Sequence, residues 1–268
     1  MKVLMFTWHP ETFIHFLNTV NPDITSLLML LVCAISILGL LRFFGLPGLY
    51  TFMTIAVICG NIQVLKAVKF SYFPEPIALG TIVFAATYLC TDIMTEYYGQ
   101  ACARRGVWLS FMGMLISTCF MLLTLGWPPI DESFVGESAD KFRAAHEAMR
   151  ILFSPGPAIF VASLSAYMIS QYNDIWIFHL IGRLTNGRML WLRTNIATML
   201  SAFVDNTIFG VLAWIVFASK PMDFHTFIFS YIFGTYIFRV VLSVINTPIM
   251  YLSRYCLPAD TKQNYTQT

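Results

Sequence analysis

Residues 76–98 read PIALGTIVFAATYLCTDIMTEYY, a stretch long and apolar enough to cross a bilayer that nevertheless carries Asp92 and Glu96. A carboxylate at membrane depth is costly and persists only where it faces a protein interior, a water-filled cavity or a bound solute. Two more acids share that situation: Asp174 lies in the apolar stretch 156–181 and Asp205 in 190–218. The chain is therefore expected to be an all-α integral membrane protein, a helical bundle with a polar site at depth.

Composition supports the class. The 268 residues are 57% hydrophobic and 11% charged, where a soluble domain carries about 25% charged residues. That leaves no room for both a bundle of spans and a sizeable aqueous domain. A net charge of +2 with scattered basic residues implies neither nucleic acid nor another charged macromolecule as partner. The cysteines (Cys33, Cys59, Cys90, Cys102, Cys119, Cys256) include no C-x-x-C pair, so small buried hydrophobes is the expected role, not metal ligands or a disulfide framework. No signal peptide is expected, since Lys2 is the sole basic residue before Arg42 and no short apolar core with a cleavage site follows it.

Candidate spans are 24–44, 48–66, 76–98, 106–126, 156–181, 190–218 and 224–252. Breakers mark their edges: Gly45-Leu46-Pro47-Gly48, Pro74-Glu75-Pro76, Gly99-Gln100, Trp127-Pro128-Pro129, Pro155-Gly156-Pro157, Thr185-Asn186-Gly187 and Lys220-Pro221. The connection 127–154 is acidic, and its part from Glu137 to Phe153 is expected to form a short helix, interfacial or a lid. One side of the bundle would carry Arg42, Arg104, Arg105, Arg183, Arg188, Arg193, Arg254 and Lys262. The other would carry Lys2, Lys66, Lys69, Lys141, Arg143, Arg150 and Lys220. The first set lies closer to span ends and the second is mixed with acids, which places the C-terminus inside and the N-terminus outside.

The polar residues at depth fall into helical register. Asp92 and Glu96 lie one turn apart on one face, flanked by Thr91 and Thr95; Gln171 and Asp174 share a face, with Asn173 beside them. Thr198, Ser201 and Asp205 follow the same spacing, with Asn206 adjoining. Asn61 and Gln63 interrupt the second span, and Arg239 and Asn246 lie two turns apart in the last. Such groups suit a planar ligand rich in hydrogen-bonding edges, with Phe84, Tyr88, Tyr167, Tyr172, Trp176 or Phe203 to stack on its faces. A carboxylate in low dielectric also suits proton coupling. Structural roles compete: Glu96 could pair with Arg104 at the interface, Asp205 with Arg239, and Asn61 and Asn246 could be interhelical glue.

No H-E-x-x-H, G-x-S-x-G, G-x-x-x-x-G-K-[ST] or D-x-D-x-D-G pattern occurs. Catalytic residues, a metal site and a cofactor are accordingly not expected. Without a nucleotide-binding loop, transport would be secondary or rely on a separate energising subunit.

Four stretches resemble a known family. ATYLCTDIMTEYYGQACARR (86–105) resembles the "TD…(N/E)-x-YG…A-R-R" signature of the queuosine precursor transporters. ASLSAYMISQYNDIWIFHLIGRLTNGR (162–188) and WLRTNIATMLSAFVDNTIF (191–209) resemble that family's "A-S-x-x-A-Y…Q…D-x-x-(I/V)-F" and "WLR-x-N-x-S-T…D-(T/N)-x-I-F" helices. YIFGTYIFRVVLSVINTPIMYL (231–252) is similar to its last helix, with a basic residue and a late Pro. The resemblance covers roughly residues 50–255, in the family's order.

It implies a fold like that of vitamin-transporter substrate-binding subunits, six helices around a polar pocket. It also implies import of 7-deazaguanine precursors of queuosine (preQ0, preQ1 or queuine) across the cell inner membrane. On that basis 1–47 is an N-terminal tail with an extra transmembrane helix, 48–257 the six-helix core, and 258–268 a polar C-terminal tail. The expected substrate lining is Asp92, Glu96, Gln171, Asp174, Asp205 and Asn206, with Asn61 and Arg239 behind them. A substrate-binding subunit of an ATP-driven transporter and an intramembrane enzyme are the alternatives. Energising subunits and a homo-oligomer stay open as partners beside the small molecule and the bilayer.

Overall fold

The computed structural model describes residues 10–73, 76–130, 136–154, 157–217, 234–259 and 261–262. The helices are α1 (Pro10–Thr19), α2 (Pro22–Phe44), α3 (Leu46–Gln63), α4 (Gly80–Tyr98), α5 (Gln100–Gly126), α6 (Ala139–Phe153), α7 (Pro157–Leu184), α8 (Leu190–Gly210) and α9 (Thr235–Cys256). Each of the seven expected spans has a helix within it. The end of the sixth, the start of the seventh and the breakers at 74–75, 155–156 and 220–221 lie outside the described residues. A π-helical turn, Val211–Val216, continues α8. Composition had not indicated α1, nor a two-residue antiparallel ladder between β1 (Ala67–Val68) and β2 (Ile77–Ala78).

Local chemistry sets the boundaries. The Asn21 side chain accepts from the Asp23 amide at 2.8 Å and Pro22 opens α2, so donors at that helix start are satisfied or removed. Gly45, at φ 61°, ends α2, and α3 folds back so closely that a Cβ on Gly48 would stand 2.3 Å from the Leu40 carbonyl oxygen. Between α7 and α8 the chain reverses through Asn186 (φ 50°) and Gly187 (φ 74°), and the Gly187 amide donates back to the Gly182 carbonyl at 2.8 Å.

At the centre stands α4. Every residue from Gly80 to Thr95 except Phe84 is buried, and the helix packs against α2, α3, α5, α7, α8 and α9. Among the described residues five helices are long and apolar enough to cross a membrane by composition: α2, α3, α5, α8 and α9. α4 and α7 fall short of that measure, and their polar side chains Asp92, Gln171 and Asp174 are buried in protein. The core runs along α4 through Ile93 and Met94 to Leu49 and Met53 on α3 and Ile175 and Phe178 on α7. From α2, Ile37 and Leu41 are fully buried in the same core, so the extra N-terminal span is packed into the bundle.

The outer faces are apolar. Leu27, Leu31 and Ile35 of α2 and Ile116, Phe120 and Leu123 of α5 are exposed in the isolated chain, as lipid-facing side chains should be. Cys59 and Cys119 are exposed too, which corrects the expectation that the cysteines inside spans are buried: those two lie on outward helix faces. The acidic connection contributes α6, whose Arg150 makes a two-pronged, solvent-exposed pair with Glu147.

Candidate functional site: two cavities and a buried polar plug

Along α4 the polar residues occupy three levels, and other helices meet them at each. Thr81 and Phe84 reach the first level, Thr87 to Asp92 the second, Thr95 and Glu96 the third. At 1.5 Å per residue, Thr81 and Glu96 are about 22 Å apart along the axis.

The first level is a chamber of about 590 Å³, a volume suited to a small heterocycle. Asn61, Ser163, Asp205, Asn206 and Arg239 supply its polar surface. Phe84 and Tyr167 form an aromatic wall, their ring centroids 6.3 Å apart. Leu152 and Phe153, at the end of α6, and Ala67, Ile77 and Ala78 of the β1–β2 ladder also line it. Inside, Arg239 donates to one Asp205 carboxylate oxygen and Ser170 donates to the other at 3.1 Å. The expected Asp205–Arg239 pair therefore exists, and it also faces the cavity. Ser163 donates to Asn61 Oδ1 at 2.7 Å, while the Asn61 amide donates to the Val57 carbonyl. Asn61 thus ties α3 to α7 at the chamber wall.

The second level is buried. Gln171 Nε2 donates to the Thr87 hydroxyl at 2.8 Å, and the Thr91 hydroxyl lies 3.1 Å from Gln171 Oε1 and 3.3 Å from Asp174 Oδ2. Asp92 and Asp174 are fully buried. Asp92 lies against Asp174 and the Thr194 hydroxyl. Yet no hydrogen bond of ordinary geometry reaches either Asp92 oxygen, Asp174 Oδ1 or Thr194 Oγ1. Those atoms come from three helices and converge on one spot, with no cation among the groups that act on the two acids.

The third level is a second cavity of about 490 Å³, lined by Thr95, Glu96, His179, Asn186 and Arg193 among others. Arg193 grips Glu96 with both terminal nitrogens, at 2.7 and 3.0 Å, donates again to the Gly187 carbonyl at 3.1 Å, and lies over the Phe178 ring. Both side chains are less than a tenth exposed. The competing structural role considered for Glu96, a pair with Arg104, is not realised: Arg193 approaches from the facing helix, while Arg104 is exposed on α5.

The expected single lining is thus divided. Asn61, Asp205, Asn206 and Arg239 share the chamber, Asp92, Gln171 and Asp174 form the plug, and Glu96 belongs to the far cavity. Trp176 is 55% exposed and Phe203 meets Tyr236 edge-on at the outer surface, so neither can stack on an interior ligand. Sequence reasoning missed Ser163, Thr194 and the burial of Arg193. An arginine already inside an apolar stretch, next to Thr194 and Asn195, was the available signal.

A family model described as "Putative vitamin uptake transporter" matches residues 78–253. A protein of Bacillus subtilis (strain 168) described as "Probable queuosine precursor transporter" is 29% identical over 222 residues, covering 82% of this chain and 90% of that protein. No solved structure matches. The matched residues span α4 to α9, and so contain the polar residues named at the three levels except Asn61.

Proposed function

Because the chain belongs to the vitamin uptake transporter family, we propose that it imports queuosine precursors (preQ0, preQ1 or queuine) by secondary transport. The observation that carries this reading is the chamber. It offers a carboxylate, two amides and a guanidinium beside two aromatic rings, in a volume that fits a flat bicyclic base. Asp205 and the amides of Asn61 and Asn206 match the ring and exocyclic N–H groups and the carbonyl edge of a 7-deazaguanine. Phe84 and Tyr167 provide apolar contact for its faces, and the 29% identical relative points to the same substrate class.

A multi-pass chain in the cell inner membrane with its C-terminus in the cytoplasm would open the chamber outward, on the face that carries α6. The far cavity, beside Arg183, Arg188 and Arg193, would then face the cytoplasm. Import follows as closure of the chamber, rearrangement of the plug and release past Glu96 and Arg193. Asp92, Gln171 and Asp174 then act below the substrate, as the barrier it must pass. No residue is assigned a catalytic role.

The test is rescue of queuosine in tRNA. Bacterial cells unable to make or import precursors would express this chain and receive preQ0, preQ1 or queuine separately, with a base-inserting enzyme supplied for queuine. Modified tRNA that depends on the chain is the expected result. Its absence with every precursor, despite protein in the membrane, overturns the substrate assignment. Rescue only when energising subunits are co-expressed overturns secondary transport.

A further inference from the structure

Two buried carboxylates with no cation between two cavities have a specific physical consequence. Ionised together, they would set two negative charges face to face where both side chains are fully buried, each costing several kcal/mol of lost hydration with nothing opposite to offset it. Among the described residues, every charged group around them is already committed or distant. On α4, Glu96 is held by Arg193; on α8, Arg193 is held by Glu96 and the Gly187 carbonyl; on α9, Arg239 is held by Asp205. α3 carries no charged residue, α7 places one titratable group, His179 of the far cavity, between Asp174 and Arg183, and the charges of α2 and α5 lie near their ends. One proton changes the balance, because a carboxylic acid can donate to the neighbouring carboxylate and to no better acceptor nearby.

We propose that Asp92 and Asp174 form the coupling site of this transporter: a pair that always holds one shared proton and takes up a second for each substrate carried inward. The inference rests on the transport reading above. The second proton comes from water on the chamber side and forms an O–H bond on the remaining carboxylate. The plug then carries no net charge, so it can rearrange without dragging an ion through low dielectric. On the other side that O–H bond breaks, the proton passes to water of the far cavity, and the pair regains its single negative charge. Position supports both steps. Thr87 and Gln171 lead from the chamber side to the pair through Thr91. Thr95 and Glu96, one turn beyond Asp92, line the far cavity. The unbonded Thr194 hydroxyl, aimed at Asp92, is a donor ready for whichever carboxylate stays ionised. No cluster of metal-ligating side chains occurs among the described residues, so the oxygens at this spot fit a proton better than a divalent ion.

The experiment uses the full chain in liposomes with labelled preQ0, which is uncharged, so that its movement carries no charge of its own. With the membrane potential clamped at zero by potassium and an ionophore, so that the charge of each proton carried inward is balanced, an inside-alkaline gradient of about one pH unit should concentrate it up to about tenfold. Asp92→Asn and Asp174→Asn should each lose that accumulation while exchange of labelled for unlabelled preQ0 continues. A merely structural role would abolish both. In parallel, the infrared carbonyl band of a protonated carboxylic acid should be present in the substrate-free wild type at neutral pH and lost in the double Asn variant. Accumulation that follows a sodium gradient or ignores the pH gradient overturns the coupling and leaves the transport reading standing. Absence of the band overturns the shared proton. Failure of preQ0, preQ1 and queuine alike to move under any gradient overturns the transport reading and the coupling with it.

Discussion

Helices α4 and α5 are neighbours in the chain, separated by Gly99 alone, and they solve opposite problems. α5 is wet by lipid. Its buried residues, Ala103, Gly106, Val107, Ser110 and Met114, form one narrow stripe, and its exposed side chains include Trp108, Leu109, Met112, Ile116, Phe120, Leu122 and Leu123. α4 is surrounded by protein, carries Thr81, Thr87, Thr91, Asp92 and Thr95 as buried residues, and falls short of the span measure that α5 meets. Among the described helices of that length, the two that fall short are α4 and α7, the pair that carries Asp92 and Asp174 into the interior. In a bundle where lipid tails are as apolar as leucine, polar side chains and close backbone approach hold the middle together.

Substitutions that treat the two helices alike should separate them. The largest effect is expected at the plug: Asp92→Ala and Asp174→Ala should abolish net uptake of precursor while the protein still reaches the membrane, as scored by uptake at matched expression. Retained uptake in both would reduce the plug to packing. Next comes the ion pair at the end of α4. Glu96→Gln or Arg193→Gln alone should cost about 3–5 kcal/mol, because each leaves a buried charge without its two-pronged counter-ion. The double substitution should cost less than the sum, and unfolding midpoints of the four proteins in detergent would show it. Gly80→Ala should cost about 1–3 kcal/mol by overpacking, since the added methyl would stand 2.4 Å from the Gly60 carbonyl oxygen. The matching change at the end of α5, Gly126→Ala, meets nothing within 4 Å and should cost nothing measurable in the same assay. Smallest of all, Leu123→Val on the lipid face of α5 should stay within about 0.5 kcal/mol of wild type and leave uptake unchanged.

Much of the architecture could be read from residues alone. Glycine–proline breakers and apolar length located the spans, and acids in impossible places revealed a polar interior. Periodicity also put Asp92 with Glu96 and Gln171 with Asp174 on shared faces. Depth was harder to read. Helical register says which side chains share a face, but Asp92 and Glu96 share one and still belong to different compartments, the plug and the far cavity. The partner of Glu96 was invisible for a related reason: proximity in sequence favoured Arg104, whereas the antiparallel return of α8 delivers Arg193, about a hundred residues away. Aromatic rings posed the same difficulty, since Trp176 sits two residues from Asp174 and faces the opposite way.

The π-helical turn Val211–Val216 follows directly on Gly210, the last chamber residue of α8. A π turn winds more residues into each revolution than an α-helix does, so it stores slack within a continuous helix. If that turn tightens to ordinary winding, its own backbone bonds shift partner by one residue, and everything N-terminal to it rotates about the axis of α8 while the backbone bonds of Leu190–Gly210 stay made. Asp205, Asn206 and Phe209 would swing as one set relative to Arg239 on α9, re-aiming the chamber's polar groups by a screw motion instead of a hinge. The fold thereby holds a spare fraction of a turn beside the cavity, where a change of grip on the cargo would be needed.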